Sequence, residues 1–115
     1  MMEVIAVLDI GKTNKKVALF DTDLHMVETR RRKIEPFESD GIRVEDVEQI
    51  EEWFLDRLAE LAADYEITAI AIAAHGAAAV CVGADGKPSV PPVDYTQPVD
   101  EGVRERFFAA MGSPE

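Results

Sequence analysis

Between Val44 and Tyr65 the apolar residues Val44, Val47, Ile50, Phe54, Leu58, Leu61 and Tyr65 recur at steps of three and four, which sets them on one face of a helix. Apolar runs stand on either side, Val4 to Leu8 and Ile67 to Ala74, the second interrupted only by Thr68, as expected of strands buried on both faces. A helical stripe must be covered by another element, so strand, helix and strand together predict a crossover helix lying on a sheet. The architecture is therefore α/β. At 115 residues, 47% of them apolar, the chain has enough material for one core, and residues 1–115 are read as a single domain.

The remaining segments extend that sheet. Val17 to Phe20 forms another apolar run, Asp21, Thr22 and Asp23 supply a turn, and Met26 to Ile34 has a β-compatible pattern, giving a three-strand meander. Arg30, Arg31, Arg32 and Lys33 on the third strand suit a solvated edge that resists pairing with other strands, with a phosphate or partner patch as the second reading. Ala77 to Val82, the Asp85-Gly86 turn and the stretch to Val90 read as a further hairpin. Pro88, Pro91 and Pro92 keep the residues after that hairpin out of a central strand. Val99 to Met111 predicts a short last helix ending near Gly112. Glu45, Asp46 and Glu48 fall near the start of the long helix, where the dipole favours carboxylates.

Charge and cysteine usage exclude some partners. A net charge of -11 argues against a nucleic-acid groove or an anionic membrane surface, both of which reward clustered cations. Cys81 is the single cysteine, so no intrachain disulfide forms, a reducing, cytoplasmic setting is expected, and Cys81 itself is read as a small core residue. The longest apolar stretch, Ala69 to Ala74, is far below the roughly 18 residues of a membrane span.

The most chemically informative stretch is Asp9-Ile10-Gly11-Lys12-Thr13-Asn14, set between two apolar strands and followed by Lys15-Lys16. A tight glycine loop turns backbone N–H groups toward phosphate oxygens, hydroxyl and amide side chains add donors, and a carboxylate at a strand end suits hydrated magnesium. The spacing is not that of a Walker A loop. An ordinary hairpin turn would use the same residues.

The order strand, DxGxT, strand, turn, strand, helix, strand resembles the opening of the actin-like ATPase superfamily, whose fold is ribonuclease-H-like. The FGGY carbohydrate kinases are similar further along, through a sugar-contacting strand end, a hairpin with an Asp-Gly turn and a Pro-rich stretch. Here these are IAIAAHGAAAVCV, GADGKPSV and PPVDY, with the second half most similar to rhamnulokinase-like and fuculokinase-like members. The resemblance implies part of that fold, a mixed sheet with β-meander, crossover helix and a further hairpin.

It also implies roles. Asp9 would sit beside the magnesium-nucleotide, Gly11, Lys12, Thr13 and Asn14 would form the first phosphate loop, and Lys16 would face the transferred phosphate. His75 and Gly76 fall where the family contacts its sugar. Asp94 and Tyr95 lie near its aromatic-x-Asp-x-Arg segment, although Tyr95 is followed by Thr96, Gln97, Pro98 and Val99, without the usual Asp and Arg. ATP and Mg2+ are the implied cofactors and a sugar the implied substrate. The family's proton-accepting Asp, second phosphate loop and adenine pocket lie beyond these residues. The chain is thus expected to be an amino-terminal piece, inactive alone and prone to self-association. Two other readings share the fold: a type III pantothenate-kinase-like enzyme, which also opens on a DxGNT-type loop, and a non-catalytic interaction module.

Overall fold

The structure is a computed structural model and describes residues 1–113. A four-stranded sheet is built from β1 (Met2–Ile10), β2 (Asn14–Phe20), β3 (Met26–Lys33) and β6 (Tyr65–Ala74), in the order β3-β2-β1-β6. The first three strands form the antiparallel meander, and β6 returns parallel to β1, so the sheet is mixed. A parallel return needs a long crossover. The helix α1 (Val47–Leu61) supplies it, as the periodicity requires.

Alternation along β1 decides which face α1 covers. Val4, Ala6 and Leu8 are buried and meet Val17 and Leu19 of β2 and Ile34, while Ile50, Trp53, Phe54 and Leu61 descend from α1 onto the same cluster. The Trp53 and Phe54 rings meet edge to face with centroids 5.1 Å apart, a favoured aromatic geometry. The helix is shorter than the Val44–Tyr65 stripe, because Val44 lies in a strand and Tyr65 opens β6. Asp46 is its N-cap, and its carboxylate accepts the Gln49 amide at 3.1 Å. Asp46→Ala is expected to cost about 1 kcal/mol, lowering the melting midpoint by about 4 °C. Thermal denaturation followed by circular dichroism measures this, and an unchanged midpoint would contradict the capping role.

Three expectations need correction. β6 is not buried on both faces: among the described residues only β1 pairs with it, and its second half is exposed. The segment after it is not a two-stranded hairpin but a loop closed by one bridge, Val82 to Pro88, around a Gly83–Gly86 turn; Pro88 has no N–H with which to extend a ladder. Cys81 is exposed, because that loop never enters the core.

A hairpin of β4 (Phe37–Ser39) and β5 (Ile42–Val44) precedes α1. Its turn, Asp40-Gly41, has φ of 51° and 77°, the doubly positive pair that a two-residue turn prefers. The last helix, α2 (Glu101–Met111), buries none of its residues. No described helix is long and apolar enough to cross a membrane.

Candidate functional site

The meander turns at the ends of β1 and β2, and that turn is the DIGKTN loop. Its carbonyls are directed into the protein. The Asn14 carbonyl accepts the Gly11 amide at 3.1 Å, the Thr13 carbonyl accepts the Ile34 amide at 3.0 Å, and the Lys12 carbonyl accepts Lys15 Nζ at 3.1 Å. Since a trans peptide is planar, an inward Lys12 carbonyl turns the Thr13 N–H the opposite way. Three carbonyl dipoles that would repel an anion are thereby withdrawn from the mouth of the loop. Gly11 is sterically required, because a Cβ there would lie 2.6 Å from the Asn14 oxygen.

Lys15 anchors the loop from beneath. It is fully buried, and its ammonium donates to the Lys12 and Ile34 carbonyls. Burial pulls its pKa below the ordinary lysine value, offset in part by Glu45.

The mouth of the loop is a cleft of about 350 Å³ lined by Asp9, Gly11, Lys12, Thr13, Asn14, Lys16 and Arg31. Asp9 and Lys16 stand opposite each other across β1 and β2, 3.8 Å apart at their charged ends, with the Asp9 side chain 46% exposed. Arg31 faces Lys16 from β3. This arginine was hidden in the basic run, whose other members fit a solvated edge. Only strand register picks out position 31.

A larger groove of about 860 Å³ runs between the start of α1 and the 85–92 turn, but seven carboxylates line it against the one cation Lys87. Electrostatics disfavours a phosphate there. The small cleft, not the large groove, suits an anion.

The second cluster of predicted residues adjoins the loop. His75 continues β6, and its amide donates to the Ile10 carbonyl at 3.0 Å, so the ends of β6 and β1 are tied together. Its ring lies 5.8 Å from that of Tyr95, measured between centroids, and Lys12 Nζ lies 5.1 Å from the Tyr95 centroid. Gly76 has open space around its Cα, and nothing in the structure explains a glycine there. Asp94 is completely buried, with Lys12 Nζ at 2.5 Å, Arg43 Nε at 3.3 Å and the Thr96 hydroxyl all donating to its carboxylate. Burial alone would raise its pKa, but these donors, Lys12 foremost, hold it well below the usual carboxylate range. The Lys12 ammonium is opposed by burial and raised, on balance, by Asp94 and Glu45. Asp9, Gly11, Lys12, Thr13, Asn14 and Lys16 thus line the cleft, Lys12 links it to the buried Asp94 and to Tyr95, and Tyr95 meets His75; Lys15 beneath the loop and Arg43 beside Asp94 were unforeseen.

No protein-family model matches the chain, and no curated protein matches it in sequence. Solved structures do. A carbohydrate kinase from Novosphingobium aromaticivorans is similar over 94% of this chain at 37% identity and a TM-score of 0.84. A ligand-bound xylulose kinase from Lactobacillus acidophilus is similar over 96% at 19% identity and 0.76, and a Plasmodium falciparum glycerol kinase with ADP over 94% at 20% identity and 0.72. The first of these bears out the actin-like architecture, and the two more distant matches speak to fold alone. The chain spans 23%, 24% and 23% of those three structures, about a quarter of each.

Proposed function

We propose, on the premise that this chain is built as the amino-terminal portion of a carbohydrate kinase of the FGGY type, that it forms one wall of a cleft in which the γ-phosphate of ATP passes to a sugar hydroxyl. The observation that carries this reading is the Lys12 link that joins an inward-carbonyl glycine loop to the His75–Tyr95 pair. The loop end is the phosphate side. Gly11 sets its curvature, Thr13 and Asn14 offer donors, and Lys16 with Arg31 supplies positive charge.

Asp9 is the residue that would hold magnesium. Its carboxylate is a hard oxygen donor, half exposed and at the cleft, which suits an ion that keeps several waters and takes one or two carboxylates together with phosphates. Bound there, the ion would neutralise phosphate charge. His75, Gly76 and Tyr95 form the sugar side, with the aromatic ring offering an apolar face and His75 a hydrogen-bonding edge. Asp94, directly behind Tyr95, reaches the sugar side through that ring, and Lys12 spans the two sides.

The 115 residues by themselves are proposed to transfer no phosphoryl group, since positioning acceptor, base and nucleotide together needs more than one wall. A cytoplasmic setting and a sugar and ATP as partners belong to the same reading.

Steady-state kinetics of the whole kinase carrying this chain tests it. Asp9→Asn is expected to lower kcat by about a hundredfold or more, the scale of a lost electrostatic contact to the transition state. His75→Ala is expected to raise the sugar KM about tenfold with the ATP KM unchanged, and Lys16→Ala to do the reverse. An Asp9→Asn enzyme within a few-fold of the parent, or His75→Ala acting on ATP, would overturn the assignment.

A further inference from the structure

Asp94 lies 82 residues from Lys12, yet its buried carboxylate accepts the Lys12 ammonium. We infer that Lys12, Asp94 and Arg43 form a lock that fastens the 92–97 segment to the glycine loop and so positions the Tyr95 ring against His75. The role rests on the proposed sugar-kinase reading for its use in catalysis, but the lock itself stands on this chain's geometry.

Three observations carry it. A fully buried carboxylate is costly unless its oxygens are satisfied, and Asp94 meets that requirement with donors from three different segments: Lys12 in the loop, Arg43 in β5 and Thr96 in its own turn. The backbone ties the same segment to the end of β5. Asp94 N–H donates to the Arg43 carbonyl at 2.9 Å, the Glu45 N–H donates to the Pro92 carbonyl at 2.7 Å, and the Arg43 N–H donates to Gln97 Oε1 at 2.9 Å. Finally, Lys12 is consumed by this arrangement. Its ammonium also reaches Glu45 at 3.4 Å and lies over the Tyr95 ring, which leaves it a bridge between the loop and the 92–97 segment instead of a free cation in the cleft.

The consequence is coupling. A loop that shifts on binding phosphate drags Lys12, and Lys12 moves Asp94 and the adjacent Tyr95. Lys12, Arg43 and Asp94 are positioning residues acting through Tyr95.

Amide hydrogen exchange by NMR on the 115-residue chain tests this without reference to kinase activity, so failure of the sugar-kinase reading leaves the test standing. In Lys12→Met the Asp94 and Gln97 amides are expected to exchange at least about tenfold faster and the Tyr95–His75 ring contact to disappear, while Val17 and Leu19 amides of β2 keep their protection. Lys12→Arg, which keeps charge and donors, is expected to restore both. Asp94→Asn added to Lys12→Met is expected to change exchange by less than the product of the two single effects, the mark of a shared interaction. Unchanged Asp94 and Gln97 exchange in Lys12→Met would overturn the lock. So would loss of protection throughout β2, which would make Lys12 a residue of global stability, or strictly multiplicative effects of the two substitutions.

Discussion

Alanine at position 11 is expected to disable the glycine loop while leaving the sheet recognisable. The added Cβ would lie 2.6 Å from the Asn14 carbonyl oxygen, closer than nonbonded atoms tolerate. That oxygen has no room to retreat, since it accepts the Gly11 amide and Asn14 is held opposite Lys33 as the first residue of β2. Forced overpacking of this kind costs about 1–3 kcal/mol, which lowers the melting midpoint of a domain of this size by roughly 4–12 °C. The larger effect falls on chemistry. Displacing Asn14 releases the inward carbonyls and misplaces the Thr13 amide, and misplacement of about 1 Å in a positioning element costs on the order of a hundredfold in rate. Gly76→Ala is the control, because a Cβ at position 76 meets nothing within 4 Å. Thermal melts of the chain and ATP kinetics of the whole kinase are the measurements. A Gly11→Ala protein that melts normally and uses ATP within threefold of the parent would refute the steric argument.

The features legible in the sequence are those that local spacing encodes. The α1 stripe and the β1 and β2 runs carry their periods within a few residues, and DIGKTN carries its own turn chemistry. The β4–β5 hairpin was also locally encoded, in Asp40-Gly41, but its strands are only three residues long and offer almost no alternation to notice. Burial is different, because it depends on what lies beside a strand. Ile67 to Ala74 has the composition of an interior strand and occupies an edge, and Cys81 sits in a loop that its apolar neighbours disguised as a strand. The ion pairs were the least legible. Nothing near Lys12 announces Asp94, and nothing distinguishes Lys15 from Lys16 except that strand alternation sends one into the core and the other into the cleft. Arg31 likewise gained meaning only when the register placed it across from Lys16.

The exposed strand leads to the remaining large effect: the 115-residue chain is expected to be a dimer at about 100 µM. Ile70 and Ile72 of β6 are 55% and 68% exposed and, two apart on a strand, share one face. Among the described residues, β6 also has a free pairing edge, the feature that invites strand-to-strand association. A twofold arrangement would place the same strand of each copy side by side. Covering an isoleucine already half buried contributes about 1 kcal/mol, half the value for full burial, so four isoleucines in a symmetric pair contribute about 4 kcal/mol. A few ladder hydrogen bonds at about 1 kcal/mol each add to this, against the translational and rotational freedom lost on association. Ile70→Lys with Ile72→Lys places four cations across that junction in the dimer and is expected to leave a folded monomer, because neither side chain belongs to the core cluster. Light scattering during size-exclusion chromatography distinguishes the cases. A monodisperse parent monomer at 100 µM, or a double-lysine variant that still dimerises, would show that β6 does not drive association.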